Sequence, residues 1–186
     1  MKKAGVKERI ITTASDLFYH NGYNQTGINQ IIAEADVAKA SMYQHFRSKE
    51  DIAVAYLQKR HISWIDDLTA FLSKEETAKG KLTACFDYLL QWLKEVEYRG
   101  CGFQNIICDL PEDHQKIKDQ VKLHKNEVKK LICRLLKDTG EYQEANVEQL
   151  GDQLMVVMEG AIILSQIQKD SWPVIAAKKT AMKLLT

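Results

Sequence analysis

The chain has 186 residues, 45% of them hydrophobic and 27% charged, which is enough apolar material for one large domain or two small ones. Only two prolines occur, no run approaches bilayer length, and the start "MKKAGVKERI" has no apolar segment or cleavage site behind it. A secreted or membrane-spanning chain is thereby excluded as a reading, and the cytoplasm is the expected location.

The formal net charge of +1 hides an asymmetry: residues 1–60 hold nine lysines and arginines against six acids, a surplus of three, so the remainder carries −2. The N-terminal third therefore leans toward a polyanionic partner. The four cysteines, Cys85, Cys101, Cys108 and Cys133, show neither CxxC spacing nor a neighbouring His cluster, so no metal site and no disulfide framework is expected.

Apolar residues recur at three and four nearly everywhere, which predicts an all-α fold of about nine helices. The first carries Val6, Ile10, Ala14, Leu17 and Phe18 on one face and stops at Gly22, a left-handed C-cap. Thr26 is expected to cap a second, short helix with Ile28, Ile31, Ile32 and Ala35. A turn at Asp36, a residue that tolerates the left-handed region, leads to a third helix over Lys39 to Phe46. Ser48 and Asp51 form a capping-box-like start for a long fourth.

Downstream, Gly80, Gly100, Gly102, Pro111, Gly140 and Pro173 punctuate five more helices, at about 80–98, 102–109, 112–138, 146–169 and 173–185. Two domains are expected, 1–48 and 49–186. Two short helices joined by a tight turn are a helix-turn-helix, whose second helix enters the major groove. On that helix Val37, Met42 and Phe46 read as the docking side. Lys39, Ser41 and Gln44 then form a base-reading face, with Ala40 allowing close approach, because Lys suits guanine, Gln suits adenine and Ser suits either. Thr26, Tyr43, His45 and Lys49 carry single donors or a charge suited to phosphates.

From Arg9 to Asp51 the stretch "RIITTASDLFYHNGYNQTGINQIIAEADVAKASMYQHFRSKED" resembles the N-terminal domain of TetR-family transcriptional regulators, through its "GY..T.I..IA"-like segment and its "LY.HF.SKE"-like ending. The match is dense and specific. Two positions depart from the pattern: Asp36 stands where the family usually has Gly, and Ala38 where it often has Ser or Thr, so the recognition helix lacks a usual N-cap. The resemblance implies a double-stranded DNA operator, a homodimer and a larger C-terminal domain for ligand binding and dimerisation. A cofactor is not implied.

The C-terminal residues agree with that implication. In "LGDQLMVVMEGAIILSQIQ" one apolar stripe runs Leu150, Leu154, Val157, Ala161, Leu164 and another Met155, Met158, Ile162, Ser165. A helix apolar on two sides needs two partners, so the last two helices are expected to form the dimer contact, with Gly160 and Ala161 permitting close approach.

The fifth helix carries more bulk than one short helix requires, and Phe86, Leu89, Leu90, Trp92 and Leu93 are expected to line a ligand pocket. Trp64, Phe103, Ile106, Ile107, Met155 and Met158 join them as apolar lining, with Met supplying adaptable surface. His124, on the apolar stripe Ile117, Val121, Val128 and Leu131, reads either as a core histidine or as a ligand anchor, and Glu159 is weighed in the same way. "YRGCGFQNIICDLPEDH" resembles an LmrA-like subgroup carrying "GC.F.N", which implies a hydrophobic or aromatic inducer. Cys101 and Cys108, seven apart, are either packing residues or thiols open to electrophiles and oxidants.

An enzyme is the competing class. No HExxH, nucleophile elbow or glycine-rich phosphate loop is present, and Asp109, Glu112 and Asp113 cluster at an expected helix start, where the dipole accounts for them.

Overall fold

The computed structural model describes residues 4–186. Lys2 and Lys3, part of the N-terminal charge surplus, lie outside the described residues. Among the described residues there are nine helices and no strand. α1 (Val6–Asn21) buries Ile10, Ala14, Leu17 and Phe18 at the spacing of one helical face and ends at Gly22, whose φ of 90° favours glycine. α2 (Ile28–Glu34) begins after Gly27, not at a Thr26 cap. Thr26 is fully buried instead, its hydroxyl donating to the Gly22 carbonyl at 2.8 Å, so it braces the turn behind the helix. Asp36 takes φ 51°, as expected, and Arg9 Nη2 donates to its carbonyl at 3.0 Å.

α3 (Lys39–His45) has Ala38 at its N-cap and no side-chain cap. α4 (Lys49–Leu72) is started by Ser48, whose hydroxyl accepts from the Asp51 N–H at 3.1 Å. Only half of a capping box forms, because the Asp51 carboxylate pairs with Lys116 at 2.7 Å.

The chain folds as two compact units. Among the described residues the first comprises 4–62 with 102–124, hence α6 (Gly102–Cys108) and the start of α7 (Gln115–Asp138). Its core is aromatic: Phe18 lies 5.4 Å from Tyr23 and 6.0 Å from Tyr56, and Arg60 stacks over Tyr19 at 3.9 Å. Gly102 has a specific reason to be glycine, since a Cβ there would sit 2.5 Å from the Tyr56 hydroxyl.

The second unit comprises residues 63–101 and 125–186 and is a bundle in which α8 (Glu144–Gln168) packs on α9 (Trp172–Leu184) and both pack on α5 (Ala78–Glu95). Leu82, Phe86, Leu89 and Leu93 of α5 are buried, as are Leu154, Met158 and Ala161 of α8 and Val174 of α9. Lysines of α7 meet carboxylates of α8 in antiparallel order: Lys125 with Glu159 at 2.7 Å, Lys129 with Asp152 at 2.7 Å and Glu148 at 3.1 Å, and Lys137 with Glu144.

α8 corrects two expectations. It is long and apolar enough to span a bilayer, a length the sequence reading denied, yet its acids are paired with α7 lysines as befits a bundle helix. The two expected stripes also do not separate: Leu154, Met158, Ala161, Ile162 and Ser165 are all buried, whereas the outward stripe is Val156, Gly160, Ile163, Leu164 and Ile167.

Candidate nucleic-acid interface

α3 has only seven residues, so its position depends on packing more than on helix propensity. Met42 and Phe46, four apart, are buried and dock the helix. Lys39, Ala40, Gln44 and His45 are exposed, Ser41 is half-buried and Tyr43 is 44% exposed. Of the expected reading residues, Lys39 and Gln44 thus reach solvent and Ser41 does so in part, with Tyr43 and His45 exposed on the same helix.

Two expected phosphate ligands sit elsewhere. The Thr26 side chain is buried and already bonded, so its hydroxyl does not face outward. Lys49 is half-buried: its Nζ donates to the carbonyls of Tyr23 at 2.9 Å and Thr26 at 3.1 Å and lies 4.1 Å from the Tyr23 ring centroid. Burial lowers its pKa, with the Asp109 carboxylate acting in the other direction. Lys49 therefore ties down the α1–α2 turn. Arg47, which the sequence reading did not single out, is exposed at the α3–α4 joint.

The expected ligand-pocket residues divide between the units. In the first, Phe103 stacks on His124 with ring centroids 3.8 Å apart and planes 4° apart, and His124 Nδ1 lies 3.0 Å from His61 Nδ1. One ring must donate and the other accept, so the pair is satisfied only while at least one imidazole is neutral. His124 is buried and bonded to a second histidine, His61, which the sequence did not single out. Ile106 is buried and Ile107 is exposed.

In the second unit Phe86, Leu89, Leu93 and Met158 are buried, and Trp64, Leu90, Trp92 and Met155 are half-buried. Trp64 sets its edge against Tyr88 at 5.5 Å and Trp92 at 6.3 Å. Tyr88 belongs to this cluster and was not anticipated; burial, then the charges of Asp67 and Glu95, push its phenol pKa far up. Leu82, Cys85, Phe86, Ile132, Leu154 and Met158 enclose an apolar gap too narrow for water.

Glu159 is occupied by Lys125, whose Nζ also lies 3.6 Å from Cys101 Sγ. Cys101 is buried and Cys108 exposed, in different units. A wider cavity of about 510 Å³ lies in the second unit, lined by residues none of which was expected, among them Lys129, Lys130, Cys133, Arg134 and Glu148. No group of three or more metal-ligating side chains occurs among the described residues.

Comparison with known proteins bears on this geometry. The profile of bacterial regulatory proteins of the tetR family matches residues 10–56, and that of the tetracyclin repressor-like C-terminal domain matches residues 78–181. The chain belongs to the TetR family. It is 27% identical over 169 residues to an uncharacterized HTH-type transcriptional regulator in the lacX 3' region of Lactococcus lactis subsp. lactis, covering 88% of this chain and 85% of that one. It is 29% identical over 119 residues to the HTH-type transcriptional repressor NemR of Escherichia coli K12, covering 61% of this chain and 60% of the repressor. The fold matches the crystal structure of a TetR-family transcriptional regulator from Streptomyces coelicolor with a TM-score of 0.86 at 24% identity, over 97% of this chain and 88% of that one. This TetR-family chain is a DNA-binding transcriptional regulator, of a family that does not work by enzymatic turnover.

Proposed function

We propose that the protein is a homodimeric, ligand-responsive repressor acting in the cytoplasm on a near-palindromic operator. The observation that carries this reading is the division of α3 and its end: Met42 and Phe46 are buried while Lys39 and Gln44 are exposed and Ser41 is half-buried. Two such helices read half-sites about one helical turn apart. Tyr43, His45 and the exposed Arg47 supply phosphate contacts that fix register. The outward stripe of α8 and the exposed Trp172 and Ile175 of α9 form the contact between copies.

The inducer is a hydrophobic or aromatic small molecule taken up among the aromatic and aliphatic side chains around Trp64, Phe86 and Met158. Differential affinity for two conformers is what releases DNA, so a ligand that binds both equally releases nothing. A second reading, thiol sensing, draws support from the place of Cys101, whose Sγ lies 3.6 Å from the Lys125 ammonium.

Duplexes selected from a random pool by the wild-type protein test the reading. Gln44→Ala and Lys39→Ala each relax preference at one base pair by about 1–3 kcal/mol. Tyr43→Phe weakens all sequences alike. Selection of no common sequence, or unchanged preference in both alanine variants, rules out base reading by this face. Quinones, dyes and flavonoids screened by thermal shift should yield a compound that both raises Tm and releases the selected duplex; release by thiol-reactive compounds only, lost in Cys101→Ser, selects the second reading.

A further inference from the structure

The turn between α1 and α2, residues 22–26, is held from two directions. On one side Lys49 of α4 takes its carbonyls, those of Tyr23 and Thr26. On the other, Asp109, the residue after α6, takes its N–H groups: the Asn24 backbone N–H donates to Oδ2 at 2.7 Å, and Asn24 Nδ2 donates to Oδ1 at 3.1 Å and to the Asp109 carbonyl. Gly22 fits this arrangement twice over, by its φ of 90° and because a Cβ there would stand 3.1 Å from Asp109 Oδ2. A carboxylate with both oxygens engaged by one asparagine and its backbone is a directional clamp, stronger than neutral hydrogen bonds.

The segment that follows adds further ties within the same unit. His114 sets its ring edge on Tyr23 at 5.4 Å, the Lys116 N–H donates to Glu50 Oε1 at 3.2 Å, and Lys116 Nζ pairs with Asp51. Asp113, by contrast, pairs with His114 at 2.8 Å and bears on the turn through its charge, which adds to burial and Glu50 in raising the Tyr23 phenol pKa. Of the acids that the sequence placed together at a helix start, Asp109 is the one whose carboxylate accepts hydrogen bonds from the helix-turn-helix, both of them from Asn24.

We propose that Asp109 is a positioning residue for DNA recognition: its carboxylate fixes the α1–α2 turn, and with it the seating of α2 and α3, to the segment joining α6 and α7. This rests on the DNA-reading function proposed above. Because α1 packs directly on α2, α3 and α6, a turn freed from Asp109 lets the recognition helix sample orientations that no longer match the groove. Charge-driven, sequence-independent contact with phosphates is unaffected.

The experiment uses the full chain and the duplex that the wild-type protein selects, with a scrambled duplex as control. Asp109→Asn leaves one acceptor oxygen and turns an NH2 toward the Asn24 donor. Its expected effects are a loss of about tenfold in affinity for the selected duplex, a change within about twofold for the scrambled one, and unchanged helical circular dichroism. Amide exchange at residues 24–26 rises by a similar factor. Asn24→Asp added to Asp109→Asn reverses the side-chain donor and acceptor and restores part of both selectivity and protection, the bond to the residue 109 carbonyl staying lost, whereas Asn24→Asp alone sets two carboxylates face to face and worsens both. Wild-type selectivity and protection in Asp109→Asn, or a double variant no better than the singles, overturns the assignment. Should the wild-type protein select no duplex, the DNA-reading function fails separately, and exchange at residues 24–26 alone then decides whether Asp109 holds the turn.

Discussion

Lys49 shows what a residue identity reveals and what it conceals. Its charge beside the reading helix made it a phosphate ligand by chemistry, but two of its three N–H donors go to the carbonyls of Tyr23 and Thr26. Those acceptors lie more than twenty positions upstream, and nothing in local sequence announces them. Lys49→Met, which keeps the stem and removes the donors, is therefore expected to cost about 1–2 kcal/mol in urea unfolding, discounted for its partial exposure. An unchanged urea midpoint would return Lys49 to the phosphates. Asp51 is similar: read as a capping residue, it is held below the usual carboxylate range chiefly by its hydrogen bond to Lys116, against burial. A depressed folded pKa means that this stability is present above the unfolded value of about 3.8 and is lost as pH falls through the folded value. Asp51→Asn should flatten acid unfolding below about pH 4, and an identical acid limb in that variant would contradict the pairing.

At the scale of elements, glycine and proline punctuation placed the helices well, because where a helix stops is a local property of backbone and cap. Facing is not local. α8 is apolar on nearly every side, so periodicity alone gave no direction, and Leu164, grouped with the buried Leu154 and Ala161, turns outward. The same limit hid the approach of α7 to α8, where the lysine–carboxylate order runs 125, 129, 137 along α7 and Cys133 stands between rungs. There a Cβ on Gly151 would sit 2.5 Å from Cys133 Sγ. Gly151→Ala should thus destabilise by about 1–3 kcal/mol despite the better helix propensity of alanine. Added Cys133→Ala should recover part of that loss, giving a non-additive double-mutant cycle. Strict additivity would mean that the two positions do not meet.

For the whole molecule the open question is what covers the outward stripe. Val156 is 73% exposed and Ile167 67%, an apolar series that a monomer gains nothing by displaying. Gly160 lies on this series, and a Cβ there would find nothing within 4 Å, so a side chain at this position meets no obstacle inside one chain. The two possible fates of the stripe separate cleanly in Gly160→Leu. In a monomer the substitution enters empty space and improves helix propensity by somewhat under 1 kcal/mol, so stability holds or rises. In a two-fold dimer each copy's stripe faces the other, and a leucine beside the axis meets its counterpart twice, wedging the helices apart. The expected result is a monomer by sedimentation with wild-type helical content. It should bind one half-site normally yet lose about a hundredfold or more on the paired operator, because the second half-site is no longer tethered. A Gly160→Leu protein that stayed dimeric and held the paired operator at wild-type affinity would move the dimer contact away from this face of α8.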